Sequence, residues 1–188
     1  MSELRYEAPE SIEAAVALLA NNTENVKIFA GGTDLLVQIR EQMIEPTLLV
    51  DIKKISETRT ISIGSDNIRI GAAVCGAELE ENESLSAMWP GVVEAARLIG
   101  SEQIQGRATL AGNICNASPA ADSVPALIAA DARAIVAGPD GTREIAVQDI
   151  SVGPGQTILQ PGEFVVSIML PKPPAHSGDA YLRFIPRT

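Results

Sequence analysis

Histidine is almost missing from this 188-residue chain, which holds a single one, His176. Two cysteines, Cys75 and Cys115, stand forty residues apart. That scarcity excludes much chemistry. A Ser-His or Cys-His nucleophile pair has only His176 to draw on, and it lies in a Pro/Gly-rich stretch that reads as an exposed loop. There is no H-E-x-x-H pattern and no Cys/His cluster, so no zinc site is indicated. Two cysteines are too few for a cluster and read as reduced, buried small residues. Aromatic residues make up only 3% of the chain. Lys and Arg are outnumbered by Asp and Glu, for a net charge of −10. Such a balance argues against nucleic acid or an anionic membrane surface as partner. No apolar run has transmembrane length, since Asp122 and Asp131 interrupt the longest candidate. The start, Met1-Ser2-Glu3-Leu4-Arg5-Tyr6-Glu7, lacks the apolar core of a secretory leader. A cytoplasmic protein without membrane insertion is the simplest expectation.

Small residues are what the chain has in unusual concentration. From Ala108 to Leu127 there is almost no bulk, and Thr109, Asn113, Asn116, Ser118 and Asp122 supply short polar groups. Such a stretch lets backbone approach a ligand closely. It reads equally as a tight loop between packed elements, with Asp122 as a helix N-cap. A second stretch, Val26 to Ala30, reads as a short buried strand. Gly31-Gly32-Thr33-Asp34 follows it, then the helix-like Leu35 to Arg40. Glycines able to take φ > 0 ahead of a helix start offer free N–H groups to an anion. By itself this is a common turn, and it is neither a Walker A loop nor a G-x-G-x-x-G fingerprint.

Along the rest of the chain, Leu4 to Glu7 predicts an edge strand. Ser11 predicts the cap of a helix carrying Ile12, Val16 and Leu19, stopped by Asn21-Asn22-Thr23. Leu48 to Val50 reads as another buried strand. Ile61–Ile63 and Ile68–Ile70 flank a hairpin turn, and residues 71–74 extend the second strand. A short helix is expected over Ala77 to Glu81, with Glu78 to Glu81 as a solvated face. A longer helix is marked by Val92, Val93, Ala96 and Ile99 and stopped by Gly100. Asp122 is expected to cap a helix through Ala130. A second hairpin joins Arg133–Ala137 to Arg143–Val147, and Phe164 to Met169 is a strand. Pro171 to Pro174 is linker-like, and Tyr181 to Ile185 reads as one more strand.

The two small-residue stretches are more specific together. Ala30-Gly31-Gly32-Thr33-Asp34-Leu35, with Thr109-Leu110-Ala111-Gly112-Asn113 and Ala117 to Pro125 some eighty residues on, resembles the FAD-binding subunit of the molybdenum hydroxylases. That family includes the flavin (medium) subunits of xanthine dehydrogenase and aerobic carbon monoxide dehydrogenase. Ala111 departs from the pattern, standing where the family usually has the first glycine of a pair. The resemblance implies an α+β fold: a two-lobed FAD-binding domain of the vanillyl-alcohol-oxidase/para-cresol-methylhydroxylase type. Its small βαβ lobe would span 1–55 and its larger mixed lobe 56–175, with 176–188 opening a C-terminal domain that relatives continue into.

By resemblance, Ala30, Gly31, Gly32, Thr33 and Asp34 wrap the FAD pyrophosphate, with Lys27, Ile28 and Phe29 leading in. Thr109, Gly112 and Asn113 match a second segment facing the diphosphate. Asp122 matches a carboxylate that would accept from ribose or ribityl hydroxyls. Ile99, Val165 and Arg183 match further cofactor contacts, the first two being otherwise ordinary core residues. Lys27 and Arg107 lie near the stretches in sequence, as aids to phosphate binding or as solvated charges. No catalytic side chain is needed, because a flavin carries its own chemistry. The resemblance implies an electron-transfer subunit, an oxidoreductase component. Its partners would be a large molybdopterin subunit and a small [2Fe-2S] subunit, and NAD⁺ or another acceptor would receive the electrons. A freestanding flavin oxidase and a FAD-free docking domain remain as alternatives.

Overall fold

The computed structural model describes residues 4–22 and 25–184. The first fifty residues build a parallel three-stranded sheet. Strand β1 (Arg5–Glu7) leads to helix α1 (Ile12–Asn21), then β2 (Val26–Phe29), helix α2 (Leu35–Arg40) and β3 (Leu48–Asp51), in the order β1-β3-β2. Ser11 caps α1 as its sequence predicts, its hydroxyl accepting from the Ala14 N–H at 3.1 Å. The helix ends at Asn21, while Thr23 of the predicted stop lies outside the described residues. All four residues of β3 are buried, as a central parallel strand requires. The parallel register sets Phe29 beside Asp51. The glycine turn after β2 therefore emerges next to the 3-10 turn Ile52–Lys54 that follows β3.

The remainder is mostly antiparallel. Hairpin β4 (Ile61–Ile63) and β5 (Asn67–Gly71) forms with Ile61 opposite Ile70. Helices α3 (Gly76–Glu81), α4 (Glu83–Met88), α5 (Pro90–Arg97), α6 (Glu102–Gln105), α7 (Leu110–Cys115) and α8 (Ser123–Ala129) follow. Strands β6 (Arg133–Gly138) and β7 (Gly141–Ala146) make the second hairpin, β8 (Ser151–Gly153) and β9 (Gln156–Thr157) a small one, and β10 (Phe164–Pro171) closes the set. The main sheet runs β4-β5-β10-β6-β7. Strand β10 is its centre, buried from Phe164 through Ile168. One buried apolar cluster runs from Ala15, Leu48 and Val50 under the first sheet to Ile68, Val136 and Ile168 in the second.

Several expectations are corrected. The 108–122 stretch is not a loop throughout. Leu110, Ala111 and Ile114 fall on one buried helical face and make it α7. Strand β5 stops at Gly71, and residues 72–74 turn instead, the Val74 N–H donating back to the Gly71 carbonyl at 3.0 Å. Helix α5 ends at Arg97 rather than running to Ile99, and Gly100 follows with φ +63°. Residues 181–184 are not a strand, and Ile185 lies outside the described residues. Leu182 and Phe184 alternate as strand residues do, yet both face solvent, at 92% and 88% exposure. The Tyr181 N–H is instead taken by Glu94 Oε2 at 3.1 Å. Glu78 is more than part of a solvated face. It pairs with both Arg59 guanidinium nitrogens, at 3.0 and 2.7 Å, and accepts from the Cys75 N–H.

Candidate functional site

A cavity of about 260 Å³ lies between the two small-residue stretches. One wall is the turn 30–34 with Lys27 and Ile28 behind it; the other is formed by Ala108, Thr109 and helix α7. Ile99 and Val165 line it too, Val165 as the second residue of β10. Twelve of the fifteen residues named from sequence stand on this wall; Phe29, Asp122 and Arg183 do not.

Turn 30–34 owes its shape to its two glycines. Gly32 has φ +77°, which L side chains rarely adopt. A Cβ there would meet the Phe29 ring at 2.2 Å. Gly31 has a different reason: a Cβ would stand 2.2 Å from the main-chain oxygen of Arg107, where the backbone of the opposite wall crosses. The N–H groups of Gly32, Thr33 and Asp34 make no hydrogen bond among the described residues. Phe29 does not join them. Its ring turns away beneath the turn, packing edge-on against Tyr6 with centroids 6.5 Å apart.

Beneath the turn lies a charged cluster. Lys53 Nζ sits 2.8 Å from Asp51 Oδ2 and 3.9 Å from the Phe29 ring centroid. The Tyr6 hydroxyl donates to the same carboxylate, and the Lys53 N–H to its other oxygen. Burial would raise the Asp51 carboxyl, but the Lys53 and Tyr6 hydrogen bonds outweigh it and hold the group below its ordinary range. The bond to Asp51, then burial, pushes the Tyr6 hydroxyl up.

The opposite wall is a capped helix. Thr109 accepts the Gly112 N–H on its hydroxyl at 2.9 Å and caps α7. Ala111, in the helix, takes no positive φ, so alanine is no burden there. Asp122 does not cap α8: its backbone is already helical and its side chain makes no cap bond. Asn113 does that work from α7, its Oδ1 accepting from the Ser123 N–H at 3.1 Å and the Ser123 hydroxyl at 2.6 Å. Asp122 instead faces Arg183 across 3.8 Å, so two of the three named residues off the wall pair with each other.

Sequence reading missed Gln38, Cys115 and Glu163 on the cavity wall, where Asn116 of the small-residue stretch also stands. Gln38 reaches from α2 to Asn116 Oδ1 at 3.3 Å, tying the walls together. Desolvation pushes the Cys115 thiol up to about 12, so it is a neutral thiol at physiological pH. Glu163 is held below its usual range first by Arg143, whose guanidinium meets it at 2.7 and 2.8 Å. Arg107 is no free surface charge: its Nε donates to the Gly31 carbonyl at 3.2 Å. His176 is exposed and off the wall. Among the described residues no three His, Cys, Asp or Glu gather to hold a metal, and no helix is long and apolar enough to cross a membrane.

A turn with free N–H groups and a glycine whose Cβ would crowd it suits a diphosphate, which backbone can bind in an acidic chain. The comparisons with known proteins show the family. The family described as "FAD binding domain in molybdopterin dehydrogenase" matches residues 2–173. The putative xanthine dehydrogenase FAD-binding subunit XdhB of Escherichia coli is 33% identical over 97% of this chain and 63% of its own length. The carbon monoxide dehydrogenase medium chain of Hydrogenophaga pseudoflava is 33% identical over 94% of this chain and 61% of its own. A solved carbon monoxide dehydrogenase from that organism superposes with TM-score 0.94 at 32% identity, covering 99% of this chain and 65% of that one. An alkyldihydroxyacetonephosphate synthase, at TM-score 0.54 and 16% identity, shares the fold alone. The fold is thus the two-lobed α+β FAD-binding type, and the chain spans about 63% of the length of the first relative. On the matched residues 2–173 and on these relatives, the chain belongs to the FAD-binding domain family of the molybdopterin dehydrogenases.

Proposed function

We propose that this chain binds FAD in the cavity between turn 30–34 and α7, as the flavin electron-transfer subunit of a molybdenum hydroxylase. The observation that carries the reading is the shared cavity itself: two segments about eighty residues apart in sequence meet across it, one of them lined with free N–H groups. Gly31, Gly32, Thr33 and Asp34 would hold the diphosphate. Thr109, Gly112 and Asn113 would bound it from the far side, and Ile99 and Val165 would supply apolar cover. Asp122 and Arg183, which pair with each other off the cavity wall, would contact the part of the cofactor that extends beyond it. Bound FAD would supply the redox chemistry, taking electrons from [2Fe-2S] clusters of a small subunit and giving them to NAD⁺ or another acceptor. A large molybdopterin subunit would oxidise the substrate. The protein's own part is to bind, orient and shield. The reading makes the chain a cytoplasmic oxidoreductase component.

The test is titration of the purified chain with FAD, followed by quenching of flavin fluorescence. Saturable binding at one site per chain is expected. Binding that never saturates, or that persists unchanged when Gly32 is replaced by valine in a folded protein, would sink the assignment.

A further inference from the structure

Lys53 and Arg107 both end on the glycine turn, yet neither is on the cavity wall. Lys53 Nζ donates to the Ala30 carbonyl at 3.0 Å. Arg107 Nε donates to the Gly31 carbonyl at 3.2 Å. The Leu36 N–H takes the next carbonyl, that of Gly32, at 3.0 Å. Three consecutive carbonyls are therefore captured. In a trans peptide the C=O and the following N–H point in opposite directions. Fixing the Ala30, Gly31 and Gly32 oxygens thus aims the N–H groups of Gly31, Gly32 and Thr33 the other way.

From this we infer that Lys53 and Arg107 are positioning residues for diphosphate binding, acting through the turn rather than on the ligand. Lys53 is itself held from three sides, by Asp51, Phe29 and the Ala30 carbonyl. Phe29 also supports Gly32 from below. Arg107 couples the turn to the chain entering α7, so both walls share one brace. A turn whose carbonyls were free could flip a peptide and present oxygen to a phosphate. The two cations oppose that flip by holding the Ala30 and Gly31 carbonyls from behind.

This inference rests on the proposed cofactor site, and its test separates the two. ADP serves as the probe, carrying the diphosphate without the flavin ring. Binding and amide NMR spectra are recorded for the full chain and for Lys53→Met, Lys53→Arg, Arg107→Met and Arg107→Lys. In the unliganded protein, Lys53→Met should shift the Gly31 amide most and Arg107→Met the Gly32 amide. Each should weaken ADP binding at least fivefold while the rest of the spectrum stays native, and the conservative variants should recover most of the loss. Native ADP affinity in both methionine variants overturns the inference while leaving FAD binding intact. A parent protein that binds neither FAD nor ADP overturns the cofactor site and the inference with it. Should Lys53→Met lose its native spectrum, Arg107→Met decides, because that side chain is exposed.

Discussion

The two walls of the cavity are built by opposite routes. Turn 30–34 frees its N–H groups by abandoning regular structure, with Gly32 at φ +77° and its carbonyls captured from behind. The other wall keeps regular structure. Helix α7 is closed by the Thr109 cap, and its Gly112 has ordinary helical φ. Glycine in the turn answers a demand of the backbone. Glycine in α7 answers a demand for space alone, since a Cβ would stand 2.9 Å from Thr109 Oγ1. A residue type shared by both walls thus carries different physics in each.

Substituting the glycines breaks the comparison most sharply. At Gly31 the obstacle is main-chain oxygen 2.2 Å away, which cannot rotate aside. Gly31→Val should cost on the order of 3 kcal/mol of stability through overpacking, and abolish measurable FAD binding. Gly112→Ala should leave stability within about 1 kcal/mol, because the helix-propensity gain offsets the disturbed cap. Thermal unfolding of both variants is the measurement. Equal losses would mean the walls do not differ in kind.

Next in size is the cap. Thr109→Ala removes the acceptor for the Gly112 N–H and should lower stability by about 1 kcal/mol. Thr109→Ser, which keeps the hydroxyl, should recover most of that. A melting temperature indifferent to Thr109→Ala would show that the cap does not hold α7.

The contrast also explains what could be read in advance. The turn announces itself because strained backbone selects glycine, and glycine is visible in a sequence. Hairpins β4–β5 and β6–β7, strand β10 and the Ser11 cap were legible for like reasons: alternation, turn residues and an N-cap residue. Helix α7 was obscured because its small residues read as loop, although Leu110, Ala111 and Ile114 share a helical face behind a threonine. Short α4 and α6 and the β8–β9 pair carry too few residues for a period to show. Lys53 and Arg107 were illegible as braces, because their carbonyl partners stand 23 and 76 residues away in sequence. Residues 181–184 misled because strand-like alternation requires a neighbouring strand, and Glu94 takes the Tyr181 N–H instead.

Acid should loosen the turn before α7. Asp51 titrates below its ordinary range in the folded chain, so its stabilisation is full above that range, about pH 4. It is lost as pH falls through the lower native value. Once protonated, the carboxyl no longer anchors Lys53 by charge. Asp51→Asn should therefore lose less stability than the parent protein between pH 5 and the acid melt, by thermal scans at stepped pH. Parallel pH profiles for the two would remove Asp51 from the support of the turn.

The smallest effect belongs to the residues off both walls. Asp122 makes no cap bond, and its one partner among the described residues, Arg183, is 3.8 Å away with nearly half its side chain in solvent. Such a pair is screened and is worth between zero and about 1 kcal/mol. Asp122→Ala should therefore leave the melting temperature almost unchanged. Its effect on FAD binding sharpens the comparison, because Asp122 lines neither wall of the cavity. The expected loss is no more than about threefold, less than 1 kcal/mol. A loss of tenfold or more at unchanged stability would mean that Asp122 reaches bound FAD, and the cavity would then have a third wall beyond the turn and α7.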